Sequence, residues 1–313
     1  MSPRLADAAY TVGLRCAGLV VLTALALMLV LLAVWALPAT YQLPRGVLSM
    51  FGGVWQPSDG AFGVMPLLAA TMLVAAGAVT LAAPVGVAAA AFIDGLGPAP
   101  LRPPLSALLW MMAGVPSVVW GFFGLTMLVP WLADIRPPGT SLLAAVLILA
   151  AMLVPTVAVF SVAALRAVPD SSRNAAAGLG LSAATTFRCV TVRQAAGGIV
   201  AASLLALCRG LGETLAVLMV AGNLPQFPGS PLDAVRTVTG NLALELGYSA
   251  GPHRSALFAS ALLLTLLVAS VLLLARLLYP VGGFGRARLR SAAAKGQAQG
   301  PDTAEPIAIG RLA

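Results

Sequence analysis

"CRGLGETLAVLMVAGN", Cys208–Asn223, decides how this chain is read, because it places Arg209 and Glu213 inside an apolar run that opens near Ala195. An ionisable side chain within a membrane span usually faces a bundle interior or a water-filled path, where it marks a substrate or ion route. Arg209 and Glu213 stand four apart, so on a continuous helix they share a face and can pair, which lowers the cost of both charges. Within the fifth span, Ala195–Gly222, the pair is read as lying towards the cytoplasm, with Thr214 as a nearby hydroxyl. Two roles stay open for the pair: a lock between packed helices, or part of the path of an anion, for which an arginine offers a planar fork of donors.

Composition supports the membrane reading. Of 313 residues 60% are hydrophobic and only 9% charged, which is outside the range of soluble domains. The net charge of +8 sits in short loops and the tail, the pattern of topology determinants facing an anionic leaflet, so nucleic acid is not an expected partner and lipid is. Cys16, Cys189 and Cys208 are scattered without a CxxC pair, which indicates neither a disulfide frame nor a zinc site. The single histidine, His253, has no ligand-spaced carboxylate or thiol and reads as a solvated loop residue; no metal is expected.

Six spans can be counted. Cys16–Leu37 is long enough for the first, about 33 Å at about 1.5 Å per residue, and too long for the apolar region of a cleaved signal peptide. The uncharged run Ala61–Ile93 exceeds one straight crossing, so Pro84 is expected to kink or end it. The third block, Leu105–Leu132, carries Gly114, Pro116, Gly121 and Gly124. Pro116 and Ser117 mark either a hinge beside the path or a kink of simple packing. Leu142–Leu165, Ala195–Gly222 and Ser255–Tyr279 complete the set. Arg4, Arg15, Arg102, Arg166, Arg173, Arg188, Arg193, Arg276 and the arginines and lysine of the tail fall on one side, which makes both termini cytoplasmic. Residues 1–60 then form a first helix and an external loop, 61–280 a transmembrane core, and 281–313 a small polar tail, expected to be disordered.

The only lysine, Lys295, has no glycine-rich turn before it, so the chain is not itself a P-loop ATPase and no cofactor is expected on it. The segment "RAVPDSSRNAAAGLGLSAATTFRCVTVR", Arg166–Arg193, reads as a helix opened by Asp170 or Ser171, a tight turn at Gly178 and Gly180, and a second short helix capped by Ser182. By itself that is either an interfacial connection or a docking element. Arg236, in the 223–254 loop, is either a solvated charge or a receiver of an anion.

The stretch Arg166–Asn223 resembles the coupling-loop region of ABC importer permeases, most closely those of the phosphate-specific kind. The family's Glu-Ala-Ala, three residues, Gly, nine residues, Ile-x-Leu-Pro is matched by Asn174-Ala175-Ala176, Gly180 and Val190-Thr191-Val192-Arg193, with Asn for Glu and Arg for Pro. Phe62–Ile93, Ala113–Pro130 and Asp233–Ser249 are similar too, so the resemblance covers roughly 62–280. It implies an all-α, six-helix type I importer permease fold of the MetI-like kind. It also implies a second homologous permease as heterodimer partner, two ATP-binding subunits docked on Ser171, Arg173, Asn174, Ala175, Ala176 and Gly180, and an extracytoplasmic phosphate-binding protein. Transport roles for Arg209 and Glu213 are implied in the same way. Three rivals remain: a permease for molybdate or sulfate, a secondary transporter or channel using Glu213 as a proton site, and a membrane sensor that reports phosphate status.

Overall fold

The structure, a computed structural model, describes residues 3–43 and 46–278. The tail 281–313, Tyr279 with Pro280 at the end of the sixth span, and Arg45 lie outside the described residues.

The described chain is almost wholly helical. It runs α1 (Pro3–Ala36), α2 (Ala39–Gln42), α3 (Met65–Ala91), α4 (Arg102–Gly114), α5 (Ser117–Phe123), α6 (Val129–Ala133) and α7 (Leu142–Arg166). There follow α8 (Asp170–Gly178), α9 (Ala183–Thr186), α10 (Val192–Leu211), α11 (Leu215–Val220), α12 (Val238–Glu245) and α13 (Gly251–Leu278). A short antiparallel hairpin, β1 (Trp55–Gln56) with β2 (Ala61–Phe62), sets Trp55 opposite Phe62 ahead of α3. Five helical stretches are long and apolar enough to cross a membrane; the bent pair Ala99–Gly114 and Ser117–Ala133 makes a sixth if it counts as one span.

Two elements depart from their sequence reading. Pro84 does not end the second crossing: α3 runs through it and, with a following π-helical turn, the helical stretch reaches Leu96. Packed membrane helices tolerate an internal proline because neighbours and local adjustments satisfy the freed carbonyl. The second short helix after Gly180 is real, and Ser182 Oγ accepts the Thr185 amide at 3.2 Å, yet α9 does not stand alone. No Gly or Pro lies between Ala183 and Val192, and a π-helical turn at Phe187–Thr191 splices α9 to α10, so one helical stretch runs from Ala183 to Leu211.

The main core joins α3, α7, α10 and α11 through small residues that let backbones approach, such as Ala78, Ala82 and Ala206, with Leu149, Leu153 and Val157 of α7 between them. Gly86 is a point of close approach of α3 on α7: a Cβ there would stand 2.7 Å from Val157 Cβ and 3.0 Å from the Val154 carbonyl oxygen. A second cluster ties the hairpin, through Trp55 and Phe62, to Leu67 of α3, Val238 of α12 and Leu257 of α13.

Candidate functional site

The fifth span breaks where its charges lie. Helix α10 stops at Leu211, Gly212 to Thr214 leave the helical path, and α11 restarts at Leu215. Thr239 Oγ1 of α12 donates to the Glu213 carbonyl at 2.7 Å, so the opened turn is latched from the next element. The Glu213 carboxylate turns forward and accepts the Ala216 amide at 3.2 Å, capping α11. Thr214 Oγ1 donates only to the Gly212 carbonyl, at 3.4 Å.

This overturns the pairing read from the i, i+4 spacing. Arg209 and Glu213 form no ion pair, because the helix that would have stacked them ends between the two. Nor do they lie towards the cytoplasmic end of the span: both residues already follow the midpoint of Ala195–Gly222, and because the helical stretch begins at Ala183 Arg209 stands near its far end. Cys208, Gly210 and Leu211 are buried while Arg209 is exposed, and Arg209 makes no side-chain hydrogen bond or ion pair among the described residues. The site is a lone cation on an outward face beside a helix break, with its former partner committed to the backbone.

Pro116 and Ser117 stand at the other break. Pro116 is extended (φ −59°, ψ 143°), and the two halves of the third crossing meet there at 95°. The α5 half then packs on α11: a Cβ at Gly121 would lie 2.9 Å from Ala216 Cα. The two interrupted spans therefore touch.

On the opposite side, α8 begins after Pro169, and neither Asp170 nor Ser171 supplies the expected side-chain cap. Ser171, Asn174, Ala175 and Gly180 are exposed, Ala176 is buried, and Gly180 takes the left-handed φ of 74° that its turn requires. Arg173 faces inward. Its Nη2 donates to Asp94 Oδ2 at 3.0 Å and to the Leu165 carbonyl at 2.8 Å, and the Asp94 side chain is only 3% exposed. Sequence reasoning missed Asp94, although a lone carboxylate closing an apolar span was a visible signal. It also missed Leu179, 82% exposed between two glycines of a polar loop.

Arg236 and His253 are not solvated. Arg236 donates to the Asn223 carbonyl (2.7 Å), to Asn241 Oδ1 (3.0 Å) and to Glu245 Oε1 (2.7 Å). The other Glu245 oxygen meets Trp55 Nε1 and His253 Nε2, both at 2.9 Å. The loop and helix from Asn223 to His253 are braced this way, and no short-range spacing announces a partner such as Trp55, 190 positions from Glu245. Among the described residues no group of His, Cys, Asp and Glu is gathered to hold a metal.

A bundle of long apolar helices, two of whose crossings are interrupted and in contact, defines a polytopic membrane protein. The family model of the binding-protein-dependent transport system inner membrane component matches residues 82–281, and the chain belongs to that family. It is 37% identical over 199 residues to the probable ABC transporter permease protein YqgH of Bacillus subtilis, covering 62% of this chain and 64% of that protein. The chain thus spans just under two thirds of that relative. With the phosphate transport system permease protein PstC of Mesorhizobium japonicum it shares 30% identity over 244 residues, 71% of this chain and 75% of that one. An inward-facing structure of the MetNI methionine ABC transporter superposes with a TM-score of 0.53 over 72% of this chain and 98% of that one, at 21% identity. The fold is that of a MetI-like ABC importer permease, a multi-pass protein of the inner membrane.

Proposed function

We propose that this chain is the permease subunit of an ATP-driven importer of inorganic phosphate, working by alternating access. The observation that carries the reading is Arg209, an exposed, unpaired guanidinium in a membrane-spanning helix beside a break. A lone cation in that setting is expensive unless an anion or a watered path meets it, and its planar fork suits phosphate oxygens. The likeness to proteins named as phosphate permeases supports the choice of anion. In this reading the outward face with Arg209 lines a path shared with a second, related permease. Two ATP-binding subunits, which hydrolyse ATP, dock on the exposed face of α8 at Ser171, Asn174 and Ala175. An extracytoplasmic binding protein delivers the anion on the side away from α8, and both termini are cytoplasmic.

Because Glu213 caps α11, it does not neutralise Arg209 at rest. The anion is then taken up by a cation that no carboxylate holds. Closure of the ATP-binding pair pushes α8, and Arg173 passes the motion to Asp94 at the end of the second crossing and, through the Leu165 carbonyl, to the end of α7. Such a lever acting on a bundle with two stable arrangements is what alternating access requires.

The test is uptake of labelled phosphate into cells lacking their own high-affinity system, with this chain and its neighbouring subunits expressed, comparing wild type with Arg209→Gln. Saturable, ATP-dependent uptake that collapses in the variant while the complex still assembles supports the reading. Unchanged uptake in the variant removes Arg209 from the path. Competition by excess sulfate or molybdate, with phosphate ineffective, reassigns the anion.

A further inference from the structure

An exposed arginine also lines a small cavity at the other end of the bundle, where α4 meets the end of α7. The cavity measures about 80 Å³ and is walled by Ser106 and Trp110 of α4 and by Val159, Val162 and Arg166 of α7. Each set recurs at helical spacing, so each occupies one face of its helix. Ile93, Leu109 and Ala158, all buried, pack together as its floor.

The polar side chains of this lining are donors without an acceptor. Arg166 makes no ion pair or side-chain hydrogen bond among the described residues, and neither the Ser106 hydroxyl nor the Trp110 indole N–H makes one. Elsewhere in the bundle Thr80, Ser203 and Thr265 each donate to the carbonyl four residues back, whereas Ser106 leaves its hydroxyl free. No carboxylate lines the cavity, and the neighbouring Asp94, only 3% exposed, is taken by Arg173. A basic residue in a last helical turn complements the helix dipole, but that role asks for neither a cavity nor a free hydroxyl across it. The missing partner is an anion, and a phosphate suits the planar fork of the guanidinium.

Position supplies the source of that anion. Arg166 ends the crossing Leu142–Arg166, and Ile93 lies three residues before the end of Met65–Leu96, so the cavity stands where the apolar spans give out. From Arg166 back to Ala158 the helix descends about 12 Å into its apolar part. Leu108 and Met111, three apart on α4, are exposed, and so is Trp110, an aromatic residue of the kind that marks the membrane–water border. We propose that this cavity is a headgroup site for an anionic phospholipid in the leaflet on the α8 side. The lipid phosphate accepts from the Arg166 guanidinium and the Ser106 hydroxyl, and its acyl chains run along the exposed face of α4. Free inorganic phosphate would satisfy the donors yet leave Leu108 and Met111 uncovered; a phosphate carried on acyl chains does both. So held, the lipid ties α4 to the end of α7, one turn before α8.

The test uses the complete complex, with its partner subunits, in nanodiscs of equal parts phosphatidylglycerol and phosphatidylethanolamine, read by native mass spectrometry of the lipid retained on release. Wild type is expected to keep phosphatidylglycerol preferentially. Arg166→Gln lowers that preference by about fivefold, the effect of one arginine near the surface on an anionic lipid. Arg166→Lys, which restores the charge, keeps most of it and so separates lost binding from lost folding. Ser106→Leu, which fills the cavity and removes its hydroxyl, lowers the preference too, whereas Arg188→Gln, exposed on the same side but outside the cavity, leaves it unchanged. Retention identical in wild type, Arg166→Gln and Ser106→Leu overturns the proposal, as does an equal fall in Arg188→Gln. Displacement of the retained phosphatidylglycerol by inorganic phosphate also overturns it and makes the free anion the occupant, and a disulfide from Ser106→Cys to a cysteine on an ATP-binding subunit puts protein there instead.

Discussion

Glu245 holds three neighbours on two oxygens, and its side chain is only 8% exposed. Removing one partner of a buried, hydrogen-bonded charge pair costs about 3–5 kcal/mol, because the other charge is left without compensation. Glu245→Ala should therefore lower the thermal unfolding temperature of the solubilised complex markedly, through Arg236, while an exposed control such as Asp59→Ala leaves it unchanged; equal melting of the two would mean that the network is slack. Asp233 behaves differently. Desolvation pushes its carboxyl up, but the Ser230 and Gly229 amides, at 2.7 and 2.9 Å, and the Arg136 guanidinium outweigh it, so the group lies below its ordinary value of 3.8. A carboxyl depressed on folding contributes stability above its unfolded value and loses it as pH falls through the folded one. Amide exchange at Gly229 and Ser230, after correction for the intrinsic pH dependence, should thus rise below about pH 3.8 and be raised at neutral pH, without that step, in Asp233→Asn. At this scale the sequence revealed which residues are unusual, Arg209 and Glu213 above all. It did not reveal their partners, since an i, i+4 spacing implies contact only where the helix is unbroken, and long-range partners such as Trp55 and Glu245 share no local pattern.

The long helices were legible because apolar runs of membrane length admit little else, and Gly180 and Ser182 gave the turn and cap they promise. The breaks were legible only in part. Pro116 does interrupt its span, whereas Pro84 and Pro155 sit inside continuous helices, and the difference lies in what packs beside them rather than in the residue type. Break and packing meet at Gly121, where a side chain would run into the backbone of Ala216 and into Met219 Sδ at 2.8 Å. The methionine can yield and the backbone cannot, so Gly121→Val should destabilise the bundle by about 1–3 kcal/mol. Gly114→Ala, with nothing within 4 Å, should be tolerated, and the comparison is read from the denaturation of purified protein. On the polar side, the exposed Leu179 beside α8 presents an apolar knob to whatever docks there. Leu179→Ser should reduce co-purification of the ATP-binding subunits severalfold while the amount of this chain in the membrane stays constant; undiminished co-purification would place the docking face elsewhere.

At the scale of the molecule, transport requires that the two ends of the bundle face different compartments, and the orientation proposed above rests on the placement of arginines. The 166–193 segment carries Arg166, Arg173, Arg188 and Arg193, against Arg236 and Arg254 in and just after the long loop on the other side, and Arg236 is neutralised by Glu245. On the α8 side Arg173 is neutralised by Asp94 in the same way, so pairing removes one arginine from each side and leaves the excess unchanged; the proposed cytoplasmic placement of α8 rests on the count of arginines itself. Cysteine labelling tests it directly. Cys16 and Cys189 are exposed and need replacement by serine first, while Cys208 is buried. In intact cells a membrane-impermeant thiol reagent should then label Ser230→Cys and spare Ser182→Cys, and in inside-out vesicles the order should reverse. If Ser182→Cys reacts from outside, α8 faces away from any ATP-binding partner. The lever from α8 through Arg173 to Asp94 would then have nothing to drive it, and Arg209 would need another account even though the fold stood unchanged.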